Sequence, residues 1–304
     1  MRPVKKGSPP TIYKQYGDAK IELTERLGLH CCYCEQSSKF ENMAVEHVFP
    51  KERHPCLKLC WSNFLLSCTL CNSKKGCTDI FYHNVNNYIF PDRDDTYHQI
   101  AYPKKTGYLP KVDPSVNNPQ KVQNTLNLFM KPYKNPTAKQ IRIVTEQATK
   151  WKEAGDSAER KRNFYLRLLD ENLKVEYVEQ INESAKNDCW SIWMRQFEDI
   201  LEIKEVILFA LPNTAIEYFI DNYWEHIEYF KEDHSTTSYF NRLIIILKSR
   251  ISYIKSHQTK LSQIQKDGIF EWMIEFIANV KQKVTFTQDQ LIRIQGYVNE
   301  LKSL

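Results

Sequence analysis

The sequence predicts an α+β chain that is mostly α: a small cysteine-rich unit near the start, followed by a large helical region. Three observations carry that expectation. Eight of the nine cysteines fall between Cys31 and Cys77. Two strand-like apolar runs lie inside that cluster. From about Thr137 onward, apolar residues recur at the spacing of helix faces. With 304 residues and 42% hydrophobic composition, the chain can bury a core, which excludes global disorder.

The elements follow in order. Residues 1–28 read as a basic entry segment and a short helix, with Ala19, Leu23 and Leu27 on one face and Gly28 as its stop. Met43 to Phe49 is strand-like and ends at Pro50, and Trp61 to Ser67 is a second such run. Residues 91–136 lose periodicity and hold seven prolines, so connecting loops with a hairpin around Gly107 are expected. Three apolar stripes then mark helices. They are Ile216, Phe219, Ile220, Tyr223, Trp224, Ile227 and Phe230; Phe240, Leu243, Ile244, Leu247, Ile251 and Ile254; and Trp272, Met273, Phe276, Ile277 and Val280. Thr287 with Gln290 forms the pattern of a capping box. The expected division is 1–90, 91–136 and 137–304.

Charge and targeting narrow the class. The net charge is +5, and residues 1–110 carry four of it. A basic excess on the cysteine-rich part favours a polyanionic partner, although it is equally the mark of a solvated surface. No leading apolar stretch resembles a signal peptide, and the run Leu243 to Leu247 is far too short to span a bilayer, so a soluble cytoplasmic protein without membrane contact is expected.

Cys31-x-x-Cys34 and Cys68-x-x-Cys71 are the strongest local signal. Two intervening residues let both thiolates reach one ion, and two such knuckles complete a tetrahedral structural Zn²⁺ site. Cys32 is expected to point elsewhere. A second zinc on His54, Cys56, Cys60 and Cys77 stays open, although those spacings match no common knuckle. Between the knuckles, Glu46 and His47 end a strand, where consecutive side chains take opposite faces. One can meet a metal while the other meets a water.

The pieces Cys-Cys-Tyr-Cys-Glu, Val-Glu-His-Val-Phe-Pro-Lys, Trp-Ser-Asn-Phe-Leu-Leu-Ser-Cys and Cys-Asn-Ser-Lys-Lys-Gly, in this order, resemble the HNH nuclease family. The resemblance covers about 50 residues and implies a treble-clef-like ββα-metal unit. It makes His47 the general base, Glu46 and Asn72 the holders of one catalytic divalent ion, and Asn63 the brace of the loop that orients His47. The variant is His-Asn-Asn. One carboxylate and one amide oxygen suit Mg²⁺ or Mn²⁺. Asn63 and Asn72 have a plainer reading as turn or cap residues. Lys51, Arg53, Lys74 and Lys75 would grip backbone phosphates or stand as solvated charges. Asp92, Asp94 and Asp95 read as a solvated loop rather than a second metal site.

The whole layout also resembles the PtuB-type nuclease subunit of Septu and retron-linked antiphage defence systems. That resemblance implies a separate ABC/SMC-like ATPase as partner, docked on the helices from residue 137 onward. No Gly-x-x-x-x-Gly-Lys loop is present, so nucleotide hydrolysis falls to another chain. DNA is the favoured substrate, with RNA, including tRNA, open. The alternatives are a stand-alone restriction-type nuclease and a zinc-finger nucleic-acid-binding module without catalysis.

Overall fold

A computed structural model describes residues 1–9, 11–215, 217–220, 236–256 and 285–304, together with 270, 273, 274, 277, 278 and 281. It is mostly helical, with two small antiparallel sheets. Among the described residues no helix is long and apolar enough to cross a membrane.

The described chain divides into two compact units. The first comprises residues 1–159, 187–196 and 211–215; the second comprises 160–186, 197–210 and 216–304. The first unit begins with α1 (Ala19–Leu27), whose buried Ala19, Leu23 and Leu27 form the expected face, and Gly28 ends it at φ 77°. β1 (Met43–His47) pairs with β2 (Phe64–Cys68) in the register Met43 to Cys68 through His47 to Phe64. One face of this hairpin, with Met43, Val45, Phe64 and Leu66, packs on Leu23 and Leu27 of α1. Leu65 looks the other way, into a core with Cys31, Tyr33, Cys34, Cys71 and Phe129. α2 (Thr69–Lys75) follows β2 directly.

The segment expected to be loops holds more than loops. β3 (Ile100–Ala101) and β4 (Lys111–Val112) do make a hairpin about Gly107, which sits at φ 65°. A helix, α3 (Pro119–Met130), was not expected there. Pro119 stands in its first turn, where the missing N–H costs nothing, and the Asn118 side chain accepts from the Lys121 amide. Val122, Leu126 and Phe129 then bury one face.

α4 (Ala138–Arg167) supplies Trp151 and Ala154 to the first unit's core. α6 (Trp190–Gln196) belongs to that unit, whereas α5 (Glu171–Lys186), α7 (Leu201–Leu208), a short α8 (Glu217–Ile220) and α9 (Thr236–Ser256) belong to the second. In α9 the stripe Phe240, Leu243, Ile244, Leu247, Ile251 and Ile254 is buried throughout. The last helix, Gln288–Lys302, opens with the Thr287–Gln290 capping box. Most of the stripe from Ile216 to Phe230, and Trp272, Phe276 and Val280, lie outside the described residues.

Candidate metal centre and cleft

Two neighbouring sites are built on the β1–β2–α2 segment. The first is made of sulfur. Cys31 and Cys34 sit in a tight turn closed by the Glu35 amide on the Cys31 carbonyl, and Cys68 ends β2. Cys71 lies one turn into α2, and its amide donates to the Cys68 thiol, 3.4 Å away. The four Sγ atoms all lie within 4.8 Å of one another, with Cys34 and Cys68 at 4.0 Å. Tetrahedral zinc with Zn–S bonds of about 2.3 Å needs sulfurs about 3.8 Å apart, so the four cysteines fit a zinc ion. Among the described residues no other group of this kind occurs. Cys32 stays out of the cluster. His54 instead holds the Ile80 carbonyl at 3.0 Å, Cys60 donates to the Cys56 carbonyl, and Cys77 to Glu52.

The second site is a cleft of about 280 Å³ lined by Tyr16, Lys20, Glu46, His47, Lys51, Asn72 and Lys75 among others. Glu46 and His47 take opposite strand faces. His47 is edge-on to Tyr16 and Phe64, at ring separations of 5.0 and 5.1 Å. Its Nε2 lies 3.0 Å from the Lys58 carbonyl, which can only accept. Nε2 therefore carries the proton, and Nδ1 keeps a free lone pair. Burial lowers the His47 pKa below the ordinary value; the Lys58 carbonyl acts the other way, and Lys51 and Lys75 add to the lowering.

Glu46 faces the sulfur side. Its Oε1 is 2.7 Å from the Lys75 ammonium and 3.3 Å from the Tyr33 hydroxyl. Burial raises the Glu46 pKa, and Lys75 and Tyr33 counter it. Lys75 also donates to the His47 carbonyl at 2.7 Å. This residue departs from the sequence reading: it is no surface cation, because its side chain is 1% exposed and fixed on two oxygens of β1.

Asn63 does not line the cleft. It clamps the loop behind His47, accepting from the Phe49 amide at 2.7 Å and donating to the Phe49 and Leu57 carbonyls at 3.0 and 3.2 Å. Leu57 precedes Lys58, whose carbonyl holds His47, so Asn63 reaches the imidazole through the backbone rather than by a direct bond. Asn72 is half-buried on α2 beside Glu46 and His47 at the cleft wall. Among the basic residues, Lys51 lines the cleft, pairing with Glu52 at 3.2 Å. Arg53 pairs with Asp79 at 3.2 Å, and Lys74 lies over the Tyr133 ring.

The aspartates are structural rather than a solvated loop. The Asp92 side chain is 4% exposed and lies 2.6 Å from the Lys6 ammonium. Asp94 holds the Phe90 amide and Lys121, and Asp95 holds His98. Lys6 also donates to the carbonyls of Trp61, Ser62 and Phe64, which flank Asn63. Tyr16, Tyr33 and Lys6 were missed as parts of the site. Tyr33 alone had a local signal, being an aromatic inside a cysteine knuckle.

The chain is similar to the Septu protein PtuB of Bacillus thuringiensis, with 44% identity over 64 residues. That stretch is 20% of this chain, and the chain spans 24% of the relative's length. No family model matches the chain. No solved structure matches it either.

Proposed function

We propose that the chain is a metal-dependent endonuclease of the HNH kind, hydrolysing phosphodiester bonds in nucleic acid, with DNA favoured over RNA, as the effector of an antiphage defence system. The observation that carries this reading is the meeting of Glu46, His47 and Asn72 in one cleft, beside four converging cysteines. The stretch shared with a Septu protein supports the defence role.

In this reading zinc on Cys31, Cys34, Cys68 and Cys71 fixes the start of α2, and so the position of Asn72. His47 takes the proton of an attacking water at Nδ1. Its lowered pKa keeps that atom unprotonated near neutral pH. Glu46 and Asn72 offer the hard oxygen donors that Mg²⁺ or Mn²⁺ prefers, with Lys75 as the carboxylate's present counter-charge. A divalent ion held there would stabilise charge on the scissile phosphate and the leaving oxygen. Lys51, at the cleft rim, is placed for phosphate contact.

The test is plasmid nicking in Mg²⁺ and in Mn²⁺ by the wild type, His47→Ala and Glu46→Ala. Retained cutting by Glu46→Ala in Mg²⁺ refutes the assignment. The pairing of Glu46 with Lys75 is the one observation that favours a zinc-held binding module without catalysis; nucleic-acid binding with no cutting under any divalent ion would establish that rival.

The helical region is assigned to a separate ABC/SMC-like ATPase. Phe164, Leu166, Leu169 and Leu173, around the turn between α4 and α5, are large apolar residues left exposed, Leu169 at 95%. Large apolar side chains left exposed there are candidate contacts for such a partner. Undiminished co-purification of a co-encoded ATPase with Phe164→Glu/Leu169→Glu refutes this placement.

A further inference from the structure

The Glu46–Lys75 pair stands where the proposed function puts a divalent ion. The Glu46 side chain is 3% exposed and the Lys75 side chain 1%. The ammonium is fixed by Glu46 Oε1 and by the His47 carbonyl, each at 2.7 Å. Both partners line the cleft that Asn72 and His47 also line. A divalent cation and an ammonium repel each other, and a buried carboxylate oxygen so enclosed cannot serve both at bonding distance.

We propose that Lys75 is a built-in competitor for the divalent ion: its ammonium occupies Glu46 until the ion displaces it, and this keeps the cation site weak. The inference rests on the reading that Glu46 and Asn72 take such an ion. Lys75 is well placed for the exchange, because it ends α2 one turn after Asn72, with Gly76 following at φ 50°. A phosphate oxygen in the cleft would give the displaced ammonium a new acceptor, coupling ion loading to nucleic-acid binding.

The test uses the full-length, zinc-loaded protein and measures Mn²⁺ binding by electron paramagnetic resonance, without any cutting assay. Removing one positive charge beside the carboxylate should tighten Mn²⁺ binding by Lys75→Gln at least about tenfold. Glu46→Gln should abolish it. Equal or weaker binding by Lys75→Gln, with Glu46→Gln still abolishing it, overturns the competition and leaves the cation site standing. Unchanged binding by Glu46→Gln overturns the cation site itself, and the competition with it.

A second measurement needs no substitution. In the wild type, Lys75 should resist an amine-acylating reagent, read by mass spectrometry, and become labelled as Mg²⁺ is added. Protection that persists in saturating Mg²⁺ overturns the proposal, including where Lys75→Gln does not fold.

Discussion

The sulfur cluster and the cleft share β1, β2 and α2, yet they meet their polar groups in opposite ways. The four cysteines converge on one point, are largely buried, and have a spacing that fits a soft ion. Two cleft residues already hold protein partners: Glu46 holds Lys75 and Tyr33, and His47 holds a carbonyl through Nε2. Thiols gathered on one point suit an ion held for good, whereas a carboxylate holding a replaceable ammonium suits a site that can be emptied. The contrast teaches that one hairpin can gather four thiols on one point and, on its neighbouring face, hold a carboxylate by an exchangeable ion pair.

The strongest way to break this comparison is Cys71→Ser. It should abolish stoichiometric zinc, measured by elemental analysis, and the cooperative thermal transition of the first unit, a loss of several kcal/mol. Next comes His47→Ala, which should lower plasmid cutting by roughly 10²–10⁴-fold while zinc content stays at the wild-type level. EDTA should separate the two ions: cutting stops at once and returns on adding Mg²⁺, while zinc, assayed after rapid desalting, stays bound.

Asn63→Ala removes three hydrogen bonds to loop backbone and should cost about 1–3 kcal/mol in urea unfolding. Its cutting should fall further than that loss of folded protein explains. The smallest effect belongs to Tyr33→Phe, which removes the hydroxyl that donates to Glu46 from within the cysteine knuckle. A loss of about 0.5–1.5 kcal/mol with zinc retained would show the two sites to be nearly independent.

Much of this was legible in the sequence, for local reasons. The two knuckles, both strands, α1 and the capping box at Thr287 each declare themselves within a few residues. Helix α3 was hidden because proline was read as a breaker when Pro119 is a starter. For Lys75 the solvated-charge alternative fails, because only the fold shows that Glu46 waits beneath it. Asp92 was misread as solvated. Tyr16 and Lys6 could not be found at all, since nothing near them in the sequence refers to His47 or Asn63; tertiary packing brings them there.

The Lys6 ammonium joins the basic entry segment to the carbonyls around Asn63 and to Asp92. Burial pulls the Lys6 pKa down, against the opposing pull of Asp92. A fragment ending at residue 90 would keep every residue named for chemistry but strand this cation without its carboxylate, at a cost of about 3–5 kcal/mol. The seam between 90 and 91 is thus a poor place to cut. Trimming for crystallisation, or grafting the cleft onto another protein, has to carry the strand-like arm at the front and the Asp92–Arg93 corner along with it.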